Sequence, residues 1–201
     1  MSKTKQELVT EFRCSEILDA ARKVFAEKGF SGTTMEEIAE RAGIAKGTLY
    51  LYFKSKRDIY MAALMQGLRT LNEDIRHKVE AAEGIREKLR AFIETRVQYF
   101  EQHRDFFVIY HSEIGNLRVP AASGESEKNE MYLSQAQMLG EVLKAAAERG
   151  EIRGVRPDAT AFAVSDLTRG MIVQRLLGWS RADQAADVQH VIELIWRGIA
   201  A

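Results

Sequence analysis

TTMEEIAERAGIAKGTLYLYFKSKRD, residues Thr33–Asp58, decides how the rest of this 201-residue chain is read. It holds two short helical patterns separated by Gly43 and ends on the start of a third. Thr34 followed by Glu37 is a capping box, so a helix opens there and stops at about Ala42. A second helix runs from about Lys46 to Phe53, and Ser55 with Asp58 caps the next from about Lys56. Ile38, Ala39 and Leu49 can form the small core between the first two, with Ile44 plugging the turn. Gly43 supplies the positive φ that a tight interhelical turn needs. The pattern is a helix-turn-helix.

A helix that reads a duplex must fit the major groove and be held rigidly from behind. This one leaves Lys46, Gly47, Thr48 and Tyr50 near the exposed N-terminal half of its second helix. Gly47 costs roughly 1 kcal/mol of helix stability against alanine but lets a phosphate or base edge approach the backbone. Thr33 and Thr34 sit at a helix N-terminus, where free N–H groups favour an anion. Tyr52 adds a hydroxyl at the far end, and the Lys56 ammonium combines with a helix dipole. Thr33, Thr34, Tyr52 and Lys56 are thus expected to hold phosphates. Lysine plus arginine equals aspartate plus glutamate, 29 each, so net charge points to no polyanionic partner. The local charge does: Arg41, Lys46, Lys54, Lys56 and Arg57 fall in one window without an acid.

Outward from this stretch the chain reads as all-α, with two prolines and helical periodicity almost throughout. Residues 1–10 are polar and read as frayed. Helix 1 spans about Phe12 to Lys28, with Gly29 as a left-handed cap. Helix 4 continues from Lys56 to about Ala81 on the stripe Leu64, Leu68, Leu71, Ile75 and Val79, with Gly67 a weak point. Helix 5 follows Gly84, helix 6 spans about Arg104 to Asn116, and Gly115–Glu127, with Pro120 and Gly124, reads as the longest loop. Helix 7 ends near Arg149, helix 8 spans about Asp158 to Leu177, and Ser180 with Asp183 caps helix 9. The map is an N-terminal three-helix helix-turn-helix domain, 1–58, and a six-helix C-terminal ligand-binding and dimerisation domain, 59–201, joined through helix 4 without a flexible linker.

Residues Phe25 to Leu64, FAEKGFSGTTMEEIAERAGIAKGTLYLYFKSKRDIYMAAL, resemble the TetR family of bacterial transcriptional regulators, whose pattern is GxxxTTxxxIAxxAGVSxGTLYxHFxxKxxL. The resemblance implies an all-helical homodimer that represses transcription and leaves its operator when a small molecule binds. Carried over by position, Lys46, Gly47, Thr48 and Tyr50 become groove or phosphate contacts. Thr34, Tyr52 and Lys56 become phosphate contacts, and Leu49 and Phe53 become core. Two positions depart: Ala45 stands where Ser or Thr commonly caps the reading helix, and Tyr52 where His is common.

In the family, two helices per subunit build a four-helix dimer bundle, and helices 8 and 9 suit that role. Helix 8 is apolar on several sides, and helix 9 carries Val188, Val191, Ile192, Ile195 and Ile199 beside Trp196. Helices 5, 6 and 7 are rich in aromatics and methionine, among them Met131 and Tyr132, as an apolar effector site would be. Phe92, Tyr99, Phe107, Tyr110 and Met138 are its expected wall. Arg96, His111, Gln135, Arg169 and Gln174 are polar positions on those stripes that could orient a ligand, an arginine pairing with an acid group. The alternative is DNA binding controlled by a partner protein, or an architectural role, with a second domain collapsed around its own core.

Other classes find little support. No nucleophile elbow, phosphate loop or zinc-protease motif occurs, so an enzyme is not expected. The four histidines, 77, 103, 111 and 190, lack metal-ligand spacing, and no metal or cofactor is expected. No run approaches the ~18 apolar residues of a membrane span. A lone Cys14 and no signal-peptide core fit a cytoplasmic protein whose partners are double-stranded DNA, a second copy and a small effector.

Overall fold

The computed structural model describes residues 4–115 and 126–201, and the side chains of all these except 114–115 and 126–132. Positions 116–125 of the expected Gly115–Glu127 loop lie outside the described residues, as do the side chains of Met131 and Tyr132. The helices are α1 (Lys5–Gly32), α2 (Met35–Arg41), α3 (Lys46–Tyr52), α4 (Lys56–Ala81), α5 (Gly84–Gln102), α6 (Arg104–Gly115), α7 (Ser126–Glu148), α8 (Pro157–Leu176) and α9 (Gln184–Ile199). Among the described residues the nearest thing to a sheet is one isolated bridge, Ile152 with Ala200.

The differences from expectation lie at helix ends. α1 starts at Lys5 rather than about Phe12, because Thr4 and Glu7 form a capping box. The Thr4 amide donates to the Glu7 carboxylate at 2.7 Å, and the Glu7 amide donates to Thr4 Oγ1 at 3.3 Å. Residues 5–10 are therefore helical rather than frayed. At the other end Gly29, at φ 69° and ψ 170°, kinks the chain, and one further turn follows. α9 is capped by Asp183, whose carboxylate accepts from the Ala186 amide at 2.6 Å. Ser180 instead donates to Asp187 at 2.8 Å.

The described chain forms two compact units. The first holds α1, α2, α3, α4 as far as Gly67, and α6. Ile17, Ala21, Val24 and Phe25 of α1 are buried together with Ile59, Ala63 and Leu64 of α4 and Phe106 and Ile109 of α6. Tyr60 stands edge-on to both Phe25 and Phe30 at 5.1 Å, and its hydroxyl donates to the Ile109 carbonyl at 3.4 Å. Burial pushes its phenol up to about 12. Gly67 is required here: a Cβ would fall 2.3 Å from the Phe106 ring, which lies directly on the α4 backbone.

The second unit holds α4 from Leu68, α5, α7, α8 and α9. Leu68, Leu71, Ile75 and Val79 continue the α4 stripe into a core with Leu89, Phe92, Ile93 and Val97 of α5. Leu139 and Leu143 of α7, Val164 and Ile172 of α8, and Val188, Ile192 and Ile199 of α9 complete it. Arg153 fixes the end of α9, its amide donating to the Ile199 carbonyl at 2.8 Å and its Nε to Ala200 at 2.6 Å. Arg175 ties three elements together through Glu101 at 2.6 Å and Asp187 at 2.5 Å.

Candidate nucleic-acid interface

The helix-turn-helix is built as its residues require. The Glu37 amide donates to Thr34 Oγ1 at 3.2 Å, and the Thr34 amide donates back to Glu37 at 2.8 Å. Lys28 pairs with the same carboxylate, and these contacts hold the Glu37 carboxyl down at about 2, the Lys28 bond being the largest cause. Gly43 adopts φ 67° in the turn, where the Ile44 amide donates to the Ala39 carbonyl at 3.0 Å. Ile38 and Leu49 are fully buried and Ala39 nearly so, while Ile44 and Phe53 are half-buried. Ala45 caps α3 without any side-chain bond, as an alanine there must.

The inward turn of Leu49 fixes which side of α3 faces out. Lys46, Gly47, Tyr50 and Leu51 are exposed, Thr48 and Tyr52 half-buried. Thr48 and Tyr52 line a small cleft with Arg13 and Glu16 of α1 and Ile44 of the turn. Leu51, 82 % exposed, was not among the residues singled out from sequence. At 100° per residue it stands about 200° from Leu49, so the helical wheel contained the signal.

Three expected contacts are placed differently. Thr33 is 1 % exposed, and its hydroxyl donates to the Gly29 carbonyl at 2.7 Å, so that hydroxyl braces the α1 kink rather than meeting a phosphate. Lys56 does start α4, but its ammonium donates to the Thr33 carbonyl at 2.6 Å and lies 4.6 Å from the Phe30 ring centre. It clasps the α1–α2 turn. The basic window is also less basic in space than in sequence. Arg41 pairs with Glu27 at 2.7 Å, and Lys46 pairs with Glu36 of α2. The Lys46 bond holds the Glu36 carboxyl below its usual range, and Glu36 in turn raises the Lys46 ammonium.

The residues expected around an effector separate between the units. Phe107, Tyr110 and His111 are on α6 in the first: Tyr110 is buried, Phe107 half-buried, and His111 exposed with its ring 5.4 Å from Phe107. The others belong to the second unit. Arg96 is 3 % exposed, stacks 5.3 Å from the Phe92 ring centre and donates to the Ser165 carbonyl at 3.1 Å. Tyr99 is buried against His103, at 4.5 Å between rings, and Met138 is half-buried. Gln135 is buried and donates to Asn72 of α4 at 2.8 Å, and Asn72 donates to Ser134 at 2.7 Å. Asn72 is a further polar residue that sequence reading passed over, since it falls beside rather than on the α4 stripe. Arg169 instead pairs with Asp166 on its own helix at 2.5 Å, and Gln174 is exposed.

Comparison with known proteins places these features. Residues 17–63 match the family model for bacterial regulatory proteins of the tetR family, and residues 82–173 match the tetracyclin repressor-like C-terminal domain. The chain is 32% identical over 142 residues to the HTH-type transcriptional repressor KstR2 of Mycobacterium tuberculosis, covering 70% of each chain. It is 28% identical over 192 residues to the fatty acid metabolism regulator protein of Bacillus subtilis, covering 92% of this chain and 94% of that one. Its fold is that of FadR from Bacillus subtilis in complex with stearoyl-CoA, at a TM-score of 0.76 and 23% identity over 90% of this chain and 96% of the other.

Proposed function

Because this chain belongs to the TetR family of bacterial regulatory proteins, it is a sequence-specific DNA-binding regulator of transcription, and we propose how its residues divide that work. Residues 1–58 are the DNA-binding domain and 59–201 the ligand-binding and dimerisation domain. The outward face of α3, held by buried Leu49, is the observation that supports this most directly. Lys46, Gly47, Thr48 and Tyr50 meet the groove, and Thr34, Tyr52 and Lys56 set the register on phosphates. Lys56 does so while holding the turn that presents Thr34.

The dimer forms through α8 and α9. Phe162 and Leu167 of α8, Leu194 of α9, and Leu177 and Trp179 beyond α8 are large apolar side chains left exposed in a single copy. Gln174 stands seven positions from Leu167, on the same side of α8, and falls to this interface. Two copies present two reading heads to half-sites about one turn apart, ~34–36 Å.

The effector is a long-chain acyl thioester such as stearoyl-CoA, acting through α4 to release the repressor from its operator. FadR from Bacillus subtilis, whose structure is in complex with stearoyl-CoA, suggests the class. Phe92, Tyr99 and Met138 would meet the chain, and Arg96 and Gln135 its polar end. The role is regulatory rather than catalytic, and its setting the cytoplasm. No helix among the described residues is long and apolar enough to cross a membrane. The test is a gel shift on the DNA flanking the protein's own gene, with stearoyl-CoA, free CoA and no addition. Release by stearoyl-CoA alone is the expected result. Binding of stearoyl-CoA with unchanged operator affinity would rule the mechanism out.

A further inference from the structure

The side chains that α3 turns outward are poor at hydrogen-bonded base readout. Bidentate contacts to base edges come chiefly from arginine, lysine, asparagine and glutamine. α3, KGTLYLY, holds only one of these, Lys46, and Glu36 already pairs with it. What α3 presents most fully is Leu51, 82 % exposed, beside Tyr50 at 46 %. A single exposed leucine needs no explanation on most surfaces. This one stands on the side of the reading helix opposite Leu49, where the groove floor must come.

The major groove has one apolar group to offer such a side chain, the 5-methyl of thymine. A helical side chain leans back over the positions three and four before it. For Leu51 these are Thr48 and Gly47, and a Cβ built on Gly47 meets nothing within 4 Å. Leu51 and the bare backbone of Gly47 thus share one side of the helix, and the Leu51 side chain does not come within 4 Å of where a Gly47 Cβ would stand, which leaves room beside it for a methyl group.

We propose that Leu51 is a specificity-determining residue that reads a thymine methyl in each operator half-site, with Gly47 providing the room. The proposal rests on α3 being the reading helix. Each half-site then carries an A·T pair at the position facing Leu51. Burying one methyl is worth a factor of about four, so its loss from both half-sites of a symmetric operator costs on the order of fifteenfold.

The test begins with operator sequences selected from random duplex DNA by the full-length protein. Each dT is then replaced, symmetrically, by dU, which removes the methyl and leaves base pairing intact. One position is expected where replacement weakens wild-type binding by roughly tenfold or more, by the same methyl value. The same replacement should change binding by Leu51→Ala by less than about twofold, while Leu51→Met, which keeps an apolar tip, should retain much of the penalty. If every dU substitution is silent for the wild type, or if the penalty persists undiminished in Leu51→Ala, the inference is overturned while DNA reading stands. If no sequence is enriched at all, the assignment of α3 as a reading helix falls, and the inference falls with it.

Discussion

Lys46 and Lys56 show how a charge near DNA can be employed twice. Glu36 holds Lys46 across the α2–α3 corner, so a phosphate or base must displace a carboxylate to use it. Glu36→Gln is expected to raise operator affinity several-fold and to steepen the dependence of log affinity on log salt by up to about one unit. Unchanged affinity and slope in a salt titration of Glu36→Gln would mean that the carboxylate does not hold Lys46 back from the DNA. Lys56→Ala should weaken binding to all sequences and flatten that slope by about one unit. It should also lower thermal stability, because the Thr33 carbonyl loses its donor and Phe30 its cation. Lys46→Ala and Thr48→Ala should alter sequence preference more than they alter the slope. Binding measured on selected and scrambled duplexes separates the two behaviours.

The helix-turn-helix depends on its caps, and its caps depend on pH. Thr34→Ala should cost about 1 kcal/mol in urea unfolding, the usual value for such a cap. Glu37 binds its proton less readily in the folded chain than in the unfolded one. Its contribution is therefore complete above the ordinary carboxyl value of 4.5 and is lost as pH falls through about 2. Glu37→Gln should remove this part of the acid-side loss, read from thermal melts between pH 5 and 2. In α4 the close approach of Phe106 to Gly67 makes Gly67→Ala an overpacking change, expected to cost roughly 1–3 kcal/mol. Phe106→Leu in the same chain should recover part of it, a coupling that a double-mutant cycle measures. A Gly67→Ala protein as stable as wild type would mean that the ring moves aside freely.

For the whole molecule, the exposed apolar side chains of α8 and α9 make the dimer the assembly to test. Leu167→Glu or Leu194→Glu should yield monomers in sedimentation and lose operator affinity, because one head then binds one half-site. Weak salt-sensitive binding to any duplex should survive. The local order of this chain was legible from residues alone: the capping box at Thr34–Glu37, the cap that Ser55 gives the Asp58 amide, the turn at Gly43, the stripe along α4, and the burial of Ile38 and Leu49. These features answer to spacings of three, four and seven, which a sequence states directly. Even the missed start of α1 carried its signal in Thr4 and Glu7. What the tertiary structure alone decided depends on partners far along the chain. Glu27 comes from 14 residues away to pair with Arg41, and Glu36 from 10 away to pair with Lys46. Lys56 reaches back to the Thr33 carbonyl, 23 residues before it. α6, expected beside an effector, contributes Phe106 and Tyr110 to the first unit. Periodicity reports which face of a helix is buried but not against what, and a charge reports its sign but not its neighbour. Thr33–Asp58 was therefore enough to identify a reading head, and the fold was needed to show that Glu36 holds its Lys46 and that Lys56 clasps the Thr33 carbonyl.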